Sequence, residues 1–518
     1  MRDVLIGVDA GTSVVKSIAF DLEGAQIAEA ARPNRYETRG TAAEQDMART
    51  WTDAAATLRA LAGEVPDLAA RTAAVAVTGQ GDGTWLIDAA GEPVGPAWLW
   101  LDARAASIVE TIRASDTDAV RYAATGCGLA ACQQGPHLAW MKKHTPEVLA
   151  RAAHAMHCKD WLFYKLTGTV ATDPSEGTFT FGDFRTRRYD DGVVETLGLS
   201  AQRHLLPEMI EGTSTSVPLS AEAARETGLL EGTPVVLGYV DVACTALGAG
   251  LYDTRSRPGV SIVGSTGMHM RLARTAEEVT LNEARTGYTM AMPAPGVYAQ
   301  MQSNMAATLN IDWLLSVFAG LLRAQGVEVE RKALIARLDE WVASAAPASL
   351  LFQPYISEAG ERGPFVDADA RAGFIGLSTR HGFQDMLRAV FEGMALAARD
   401  CYAATGSIPS EVRLTGGAAR SRVLRRILAA AVGSDVRTSS REEAGAAGAA
   451  MMAAVCIGQY PDMATCADRW VTPTLGAIEP PDDALRATYD RVYTVYAASH
   501  AALRPVWKSL AEMREHAT

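Results

Sequence analysis

Short blocks of apolar residues at the start of the chain follow a pattern typical of β-strands. Residues 4–8 and 14–20 are two such blocks, and only the five residues 9–13, DAGTS, separate them. A crossover between parallel strands needs about a dozen residues or more, so these strands are predicted to pair antiparallel. A third strand, QIAEAARP, follows the turn DLEG and completes a three-stranded meander. A Rossmann-type βαβ start is therefore excluded.

The spacing of apolar residues changes to that of a helix over residues 46–65, DMARTWTDAAATLRALAGEV. Residues 72–88 then read as a strand, a glycine-rich turn and a strand. From residue 98 to about residue 230, helical pieces alternate with loops rich in Thr, Gly and Asp. Residues 234–251 predict an apolar strand and a small-residue helix, with a lone acid, Asp241, between them.

The opening pattern returns about 250 residues later, in GVSIVGSTGMHMRLA at 259–273. This stretch again reads as a strand, a Gly/Thr turn and a strand, which predicts two related halves that face each other. A strong helix pattern follows at 384–405, and then a strand, a glycine turn and a helix at 411–433. From about residue 459 the chain is predicted to be helical, with proline-rich breaks.

Composition is that of an ordinary globular protein with more than one domain. The chain has 518 residues, of which 48% are hydrophobic and 21% charged, and single cores stop growing beyond about 250–300 residues. The net charge of −12 argues against a nucleic-acid partner, because phosphate backbones require clustered Lys and Arg.

Cysteine spacing and hydropathy indicate the compartment. The seven cysteines lack CxxC spacing, so we expect reduced thiols, without disulfides or structural zinc. No apolar run reaches the roughly 18 residues of a membrane span. The first residues lead directly into a strand pattern rather than a secretion signal, so a cytoplasmic protein with no membrane partner is expected.

The turn DAGTS holds one acid, one glycine and two hydroxyls. In a plain turn, Asp9 would cap local amides and Gly11 would supply a positive φ. Together with Thr12 and Ser13, the same residues can form a cradle of backbone N–H groups around phosphate oxygens, with Asp9 holding a divalent ion. The turn alone does not decide between the two.

Two further glycine turns favour phosphate binding. GSTG, at 264–267, lies between two apolar strands, as DAGTS does. In LTGGAARS, Gly416 and Gly417 directly precede a helix, where bare backbone could admit a nucleotide. No G-x-x-x-x-G-K-[ST] occurs and no G-x-G-x-x-G follows a strand, so neither a Walker-type nor a Rossmann-type phosphate site is predicted.

Asp241 lies between Val240 and Val242, where an apolar residue would be easier to bury. Burial of a carboxylate is unfavourable unless it is partnered, so Asp241 is either a structural anchor or a catalyst. The N-cap of the following small-residue helix is the structural alternative. Both interpretations stay open at this point.

Aromatic residues next to polar ones occur in QGDGTW, residues 80–85, and WLWLDARA, residues 98–105. Such stretches suit a polyhydroxyl ligand, because the rings contact C–H groups and the polar groups bind hydroxyls. The alternative is two surface turns with packed tryptophans. His154 and His157 lack the i, i+4 spacing of a metal site and are interpreted as helix-surface residues.

Taken together, these motifs resemble the FGGY family of carbohydrate kinases over nearly the whole chain. The matching motifs are DAGTSVVK (9–16), TGQGDG (78–83), WLDAR (100–104), DWLFYKLTG (160–168), GYVDVACTALGAG (238–250), GSTG (264–267), GERGPFVDADARAGFIGL (360–377) and LTGGAARS (414–421). The resemblance implies an α/β fold of two actin-like (ribonuclease-H-like) domains with a cleft between them. The domains are predicted at residues 1–250, which would bind the sugar or polyol, and 251–518, which would bind ATP.

The resemblance also implies residue roles, carried over position by position. Asp241 would be the catalytic base that takes the proton from the attacking hydroxyl, and Asp9 would lie at Mg²⁺ and the γ-phosphate. The first phosphate turn would comprise Gly11, Thr12, Ser13 and Lys16, and the second Gly264, Ser265, Thr266 and Gly267. The adenosine pocket would be lined by Gly416, Gly417 and Ser421, and the substrate site by Gln80, Asp82, Trp100, Asp102 and Arg104.

Departures from the better-known members indicate the substrate. Kinases of the xylulose type usually carry His at the position of Asp82, and glycerol kinases carry Arg-Glu in place of Gly81-Asp82. Both usually place Gln or Asn where Val242 stands. These differences favour a linear polyol, and QGDGTWLID, CKDWLFYKLTG and GYVDVACTALGAGLYD most resemble the members that phosphorylate erythritol. A terminal erythritol phosphate is therefore the expected product.

Two alternatives remain. The first is a pentulose kinase of the xylulokinase kind. The second is a chaperone-type ATPase with the actin-like fold, which would need a β-rich or disordered client-binding extension, and none is visible after residue 459. A homodimer is common in the resembled family, but the sequence leaves the oligomeric state open.

Overall fold

A computed structural model describes residues 2–515 of the chain. Met1 and residues 516–518, which belong to the predicted domain spans, lie outside the described residues. The first half alternates short strands with helices. Its strands are β1 (Val4–Ala10), β2 (Val14–Asp21), β3 (Gln26–Pro33), β4 (Tyr36–Arg39), β5 (Ala42–Gln45), β6 (Thr72–Gly79), β7 (Trp85–Ile87), β8 (Ala97–Trp98), β9 (His154–Met156), β10 (Gly182–Asp183), β11 (Arg188–Tyr189), β12 (Val217–Pro218) and β13 (Pro234–Leu237).

The helices of the first half begin with α1, which matches the helix predicted at 46–65 and is capped by Asp46, whose carboxylate accepts the N–H of Arg49. They are α1 (Met47–Glu64), α2 (Leu68–Arg71), α3 (Ala106–Arg113), α4 (Thr117–Thr125), α5 (Gln134–His144), α6 (Pro146–Arg151), α7 (Cys158–Thr167), α8 (Pro174–Phe181), α9 (Asp191–Thr196), α10 (Ala221–Thr227) and α11 (Asp241–Gly248).

Six strands of the first half form one sheet in the order β12-β13-β6-β1-β2-β3. β1 pairs antiparallel with β2, and Asp9 lies opposite Lys16, which confirms the predicted hairpin. β3 continues the meander, while β6 is parallel to β1 and β13 is parallel to β6. The turn DAGTS therefore lies at the end of a central, buried strand.

The second half has the same architecture. Its strands are β14 (Gly259–Val263), β15 (Gly267–Ala273), β16 (Tyr288–Ala291), β17 (Tyr298–Asn304), β18 (Leu351–Gln353), β19 (Gly373–Ile375), β20 (Glu411–Thr415) and β21 (Asp435–Thr438). Its helices are α12 (Thr308–Ala324), α13 (Arg331–Ile335), α14 (Leu338–Ser344), α15 (Phe383–Ala404), α16 (Arg422–Val432), α17 (Ala444–Cys456), α18 (Met463–Trp470) and α19 (Asp483–Glu515).

The second sheet repeats the topology of the first, in the order β16-β17-β15-β14-β20-β21. β14 and β15 form an antiparallel hairpin, β17 continues it, and β20 and β21 add in parallel. β14, β15, β17, β20 and β21 thus correspond to β1, β2, β3, β6 and β13. The repeated arrangement agrees with the predicted α/β fold of two actin-like domains, whereas the boundary at residue 250 stays a prediction.

Helix α17 joins the two halves and was not predicted from the sequence. It packs against α11 and against β1 and β6 of the first sheet. A Cβ atom on Gly7 of β1 would overlap the carbonyl oxygen of Ala446, and one on Gly248 of α11 would overlap that of Ala444. Backbone therefore lies directly against backbone here, which only small residues permit.

Other features bear on the sequence interpretation. His154 lies in a strand, and His157, only 3% exposed, directly precedes α7, so their interpretation as helix-surface residues was wrong. All seven cysteines, which lie in the described part of the chain, are free thiols. Among residues 2–515, no helix has the length and apolar character needed to cross a membrane.

We expect Gly7→Ala to lower the thermal unfolding midpoint, because the added methyl group meets backbone and such overpacking costs about 1–3 kcal/mol. Gly63→Ala is the matched control, since a Cβ atom at this exposed position in α1 has nothing within 4 Å. Its free energy of unfolding should stay unchanged or rise by at most about 1 kcal/mol, so its midpoint should not fall. Calorimetry on both variants measures the difference, and equal midpoints would contradict the close contact between β1 and α17.

Candidate functional site

Asp241 is the first residue of α11, directly after the turn that follows β13. The N-cap position belongs to Val240, and the Asp241 carboxylate accepts the adjacent N–H of Val242 at 2.7 Å. Burial, together with the negative charge of Asp9, raises the pKa of Asp241 well above its ordinary value. The side chain is thus a proton acceptor of raised affinity rather than a simple helix cap.

Asp241 lines a cavity of about 190 Å³ that opens between the two halves. Four further residues predicted for the site line the same cavity, namely Thr12, Asp82, Trp100 and Thr266. They come from four separate stretches of the chain. The fold therefore brings together residues that the sequence motifs proposed separately.

Asp82 has a left-handed backbone conformation, with φ of 54°. Its backbone N–H donates to Glu176 Oε1 at 3.0 Å, and the hydroxyl of Tyr288 donates to its Oδ2 at 3.3 Å. Its Oδ1 is buried without a partner, and burial raises the pKa of this carboxyl. A cavity-lining acceptor without a partner is suited to receive a hydroxyl hydrogen from a ligand.

The opposite wall of the cavity comes from the second half and was missed at the sequence level. Met268, Tyr288, Met290 and Met301 lie on the adjacent strands β15, β16 and β17. Tyr288 and Met290 are two apart on β16, so the alternation of a strand places both on the same face. The alternation of side chains could be read from the sequence, but the sequence did not show that this face of the strand would line the cavity.

Arg362 also lines the cavity. It belongs to the quoted motif 360–377, to which no role had been assigned. Its Nη2 donates to Ser303 Oγ at 3.0 Å, while its Nε is buried without a partner. The guanidinium thus adds an unsatisfied donor and a positive charge beside Asp82, whose pKa it lowers against the effect of burial.

The first glycine turn is braced by side chains around Thr12. The Thr12 hydroxyl accepts the indole N–H of Trp100 at 2.7 Å and donates to Gln80 Oε1 at 3.1 Å. The carbonyl oxygen of Gly11 accepts from Asn34 at 2.8 Å, and Ser13 is exposed. Thr12 and Trp100 therefore form one hydrogen-bonded edge of the cavity.

Asp9 is the last residue but one of β1 and lies behind this turn. Burial and the charge of Glu443 raise its pKa to about 6, against the opposing effect of Lys16. Lys16 itself forms an ion pair with Glu443, which directly precedes α17. A Cβ atom on Gly445 would lie 2.5 Å from Asp9 Oδ2. The helix α17 can therefore lie this close to the carboxylate only because residue 445 has no side chain.

The second glycine turn, 264–267, lies between two cavities. Thr266 lines the cavity that contains Asp241, whereas Gly264 lines a larger one of about 500 Å³. The turn is fixed from behind by the start of α12, because Gly264 O accepts from Thr308 N at 3.0 Å and Ser265 O accepts from Ala307 N at 2.7 Å. Gly267 then begins β15.

The larger cavity has the size of a small-molecule site. Gly417 and Ser421 line it, as does Asp339. Ser421 caps α16 by accepting the N–H of Leu424, and its hydroxyl donates to Asp339 Oδ1 at 2.5 Å. Gly416 does not line the cavity, but the turn requires a glycine at this position. Its φ is 92°, and a Cβ atom there would lie 2.6 Å from the carbonyl oxygen of Val263.

Three residues predicted for the substrate site do not line the cavity. Gln80 is buried and donates to Gln45 at 2.7 Å. Asp102 is 1% exposed and is held by Arg104, whose guanidinium also stacks on the ring of Trp98 at 3.3 Å from the ring centre. Asp102 and Arg104 bind each other within DAR, two residues apart, and thereby hold the loop that carries Trp100.

A further buried group of side chains could suggest a metal site. Among residues 2–515, His157, Asp160 and Glu176 place one ligand atom each within 4.8 Å of one another. The ammonium of Lys159, however, lies 2.7 Å from both Asp160 Oδ1 and Glu176 Oε2. The position of a cation is already taken, so these residues do not form a metal site.

Comparison with known proteins shows the family of the chain. Residues 4–248 and 259–457 match the N-terminal and C-terminal domains of the FGGY family of carbohydrate kinases. The chain is 56% identical over 510 residues to erythritol kinase of Brucella abortus, covering 98% of each chain. It is 29% identical over 462 residues to xylulose kinase of Escherichia coli, covering 87% and 89%. The crystal structure of xylulose kinase from Rhodospirillum rubrum superposes with a TM-score of 0.87 at 28% identity, covering 98% and 100%.

The raised pKa of Asp9 predicts a pH-dependent stability. Its pKa is about 6 in the folded protein and 3.8 ordinarily, so the folded protein retains a proton that the unfolded chain releases. The contribution of this carboxyl to stability therefore falls as the pH rises from about 4 to 6. In a chelating buffer, Asp9→Asn should raise the free energy of unfolding at pH 8 by about 3 kcal/mol, with little effect near pH 4.

Thermal unfolding at both pH values measures this difference. Glu23→Gln, which neutralises an exposed carboxyl, should stay within about 0.5 kcal/mol of the wild type throughout. A stabilisation by Asp9→Asn of equal size at pH 4 and pH 8 would contradict the raised pKa.

Proposed function

Since the chain belongs to the FGGY family of carbohydrate kinases, we propose that it transfers the terminal phosphoryl group of ATP to a terminal hydroxyl of erythritol. The observation that carries the choice of substrate is the 56% identity to erythritol kinase of Brucella abortus over nearly the full length of both chains. The chemistry of the cavity around Asp241 supports the same choice, as follows.

Asp241 acts as the general base. An alcohol is a weak nucleophile while it holds its proton, and a carboxylate within hydrogen-bond reach can take that proton as the hydroxyl attacks. Phosphoryl transfer otherwise requires positioning and charge stabilisation rather than covalent chemistry by the protein. The raised proton affinity of Asp241 suits this role.

The remaining polar groups of the cavity bind the other hydroxyls. Asp82 Oδ1 is an acceptor without a partner, and Arg362 Nε is a donor without one, so each can satisfy a hydroxyl group. The methionines of β15–β17 form an apolar wall that offers no partner to further hydroxyls and thus favours a short polyol.

ATP occupies the larger cavity, with its phosphates directed along the turn 264–267 toward Asp241. Gly417 and Ser421 lie at the start of α16, where close-approaching backbone and a helix N-terminus favour a nucleotide. The turn DAGTS faces the transferred phosphoryl from the other side. In this arrangement Lys16 pairs with a phosphate in place of Glu443.

The site also suits Mg²⁺. The charge of Asp9 raises the pKa of Asp241, and the charge of Glu443 raises that of Asp9 against the opposing effect of Lys16, so carboxylate oxygens and negative charge are concentrated here. Such hard oxygen donors are the ligands that Mg²⁺ prefers, and Asp9 would hold the ion. When bound, the ion neutralises charge on the phosphates.

The two alternative functions, a pentulose kinase and a chaperone-type ATPase, are not supported equally. A pentulose kinase remains the second candidate, because xylulose kinase of Escherichia coli aligns over most of its length. The chaperone-type ATPase does not fit a member of this kinase family, and in the described residues after 459 the chain forms the helices α18 and α19 and one short 3₁₀ turn.

Substrate preference tests the proposal directly. ADP release should be measured at saturating MgATP with erythritol, glycerol, ribitol, xylitol, D-xylulose, L-xylulose and L-ribulose. We expect kcat/KM for erythritol to exceed that for every other compound by at least about tenfold, which corresponds to roughly 1.4 kcal/mol of transition-state binding. The rate of ADP release without any polyol is the background. With polyol present, an excess of chelator should lower the rate of ADP release to this background. A preference for D-xylulose would replace the proposed substrate with a pentulose.

Asp241 and Asp82 allow the same chemical change to be compared at two positions in one cavity. Asp241→Asn should lower kcat by about 10²- to 10⁴-fold with the KM for ATP nearly unchanged, because the base is lost. Asp82→Asn should instead raise the KM for erythritol at least about tenfold, since a ligand hydroxyl loses a charged acceptor. Steady-state kinetics separates the two, and near-normal turnover of Asp241→Asn would mean that the base lies elsewhere.

A further inference from the structure

A fully buried cluster of charged side chains lies directly behind the cavity of Asp241. The ammonium of Lys159 lies 2.7 Å from Asp160 Oδ1, 2.6 Å from Asp173 Oδ2 and 2.7 Å from Glu176 Oε2. All four side chains are inaccessible to solvent. Burial of so many charges is unfavourable compared with an apolar core of the same volume, so the cluster calls for an explanation beyond packing.

Two consecutive residues of α8 connect this cluster to the cavity. The hydroxyl of Ser175 donates to Asp173 and accepts the backbone N–H of Val240 at 3.0 Å. Glu176 Oε1 accepts the backbone N–H of Asp82 at 3.0 Å, while its Oε2 binds Lys159. One helix thus holds the residue before the proposed base and the residue proposed to bind the substrate.

Both of the held segments need such support. The chain changes direction at Val240, where β13 gives way to α11, and its N–H would otherwise be buried without an acceptor. Asp82 has a φ of 54°, a conformation that is unfavourable for residues other than glycine. The two segments also touch, because a Cβ atom on Gly81 would overlap the side chain of Val240.

We propose that Ser175 and Glu176 are positioning residues for the reaction. Ser175 fixes the backbone that carries Asp241, and Glu176 fixes the backbone that carries Asp82. Because they are neighbours in one helix, they also fix the distance between the hydroxyl that loses its proton and the hydroxyl bound at Asp82. This distance selects the length of the polyol. The inference rests on the roles of Asp241 and Asp82 in the proposed function.

A merely structural role would give a different result. Loss of packing in α8 would lower stability and change every kinetic constant together. Positioning instead predicts that substitutions of the two residues have different kinetic effects. Ser175 acts on the residue that performs the chemistry, so its loss lowers kcat, whereas Glu176 acts on the residue that binds the polyol, so its loss raises KM. The split between kcat and KM is therefore the informative readout.

Ser175→Ala should lower kcat by roughly tenfold to a hundredfold, because small displacements of a reacting group have effects of this size. The KM values for polyol and ATP should stay within about twofold. Thr178→Val is the matched control: its buried hydroxyl lies on the same helix and donates only to Pro174 O among the bonds described. If Ser175→Ala is not recovered folded, Ser175→Cys, whose thiol is a weaker acceptor, is measured with the same expected split.

Glu176→Gln keeps the shape of the side chain but has one accepting oxygen, for which Lys159 and the N–H of Asp82 compete. We expect the KM for the polyol to rise at least about tenfold, with the KM for ATP within twofold. Asp160→Asn is the matched control, because it removes the same charge from beside Lys159, whereas Asp160 bonds to His157 and Lys159 rather than to a residue of the cavity.

The outcomes are distinct from those of the substrate panel. All variants are compared using the polyol that the wild type turns over best, so a wild-type preference for another compound changes the proposed substrate and leaves this test intact. The inference is overturned if Ser175→Ala lowers kcat no more than Thr178→Val, or if Glu176→Gln raises the polyol KM no more than Asp160→Asn. Melting midpoints of each variant and its control complete the comparison.

Discussion

The burial of negative charge in the cleft is the constraint on which the rest of this structure depends. Asp9, Asp82 and Asp241 all have raised pKa values, and in each case loss of solvation is the largest cause. A chain selected only for stability would place apolar residues at these positions. In the proposed function the carboxylates are retained because their unsatisfied charge and lone pairs are what the polyol and Mg²⁺ satisfy. Stability given up at a site of this kind is a common cost of function.

The surrounding fold supplies rigid supports for these carboxylates. Asp9 lies at the end of β1, a central strand, and is overlaid by the backbone of α17 at Gly445. Asp241 begins α11, which packs against the same helix. The glycines and alanines of α17 allow it to approach both elements at the distance of backbone contact. Lys16 and Lys159 lie outside the lining of the cavity, where each pairs with carboxylates, whereas Arg362 brings its positive charge into the cavity itself.

Elements with a clear period could be predicted from the sequence, whereas α17 could not. The β1–β2 and β14–β15 hairpins follow from alternating blocks joined by short turns, and α15 has a distinct apolar face. The sequence of α17, AGAAGAAMMAAVC, is small and apolar on all sides and thus has no face that periodicity can reveal. Its burial is decided by partners from the other half of the chain.

The candidate site, too, could be predicted from the sequence only in part. Asp241, Asp82, Trp100, Thr12 and Thr266 could be proposed because each lies in a compact motif, and they do line one cavity. Tyr288 and Arg362 reach that cavity only through folding of the second half, which no local pattern encodes. Asp102 and Arg104 were assigned to the substrate site by the family resemblance and by their place beside a tryptophan, but in the structure these two opposite charges bind each other. Local pairing of this kind is invisible in a list of polar residues near a tryptophan.

The position of the turn 264–267 has a thermodynamic consequence. Its Thr266 belongs to one cavity and its Gly264 to the other, so in the proposed function the two substrates contact one short segment of backbone. Any shift of that segment that accompanies the binding of one substrate changes the free energy of binding the other. Linkage requires the effect to be mutual: the factor by which the polyol alters the affinity for nucleotide equals the factor by which the nucleotide alters the affinity for polyol. In the proposed function, a single four-residue turn would thereby make the two binding equilibria interdependent.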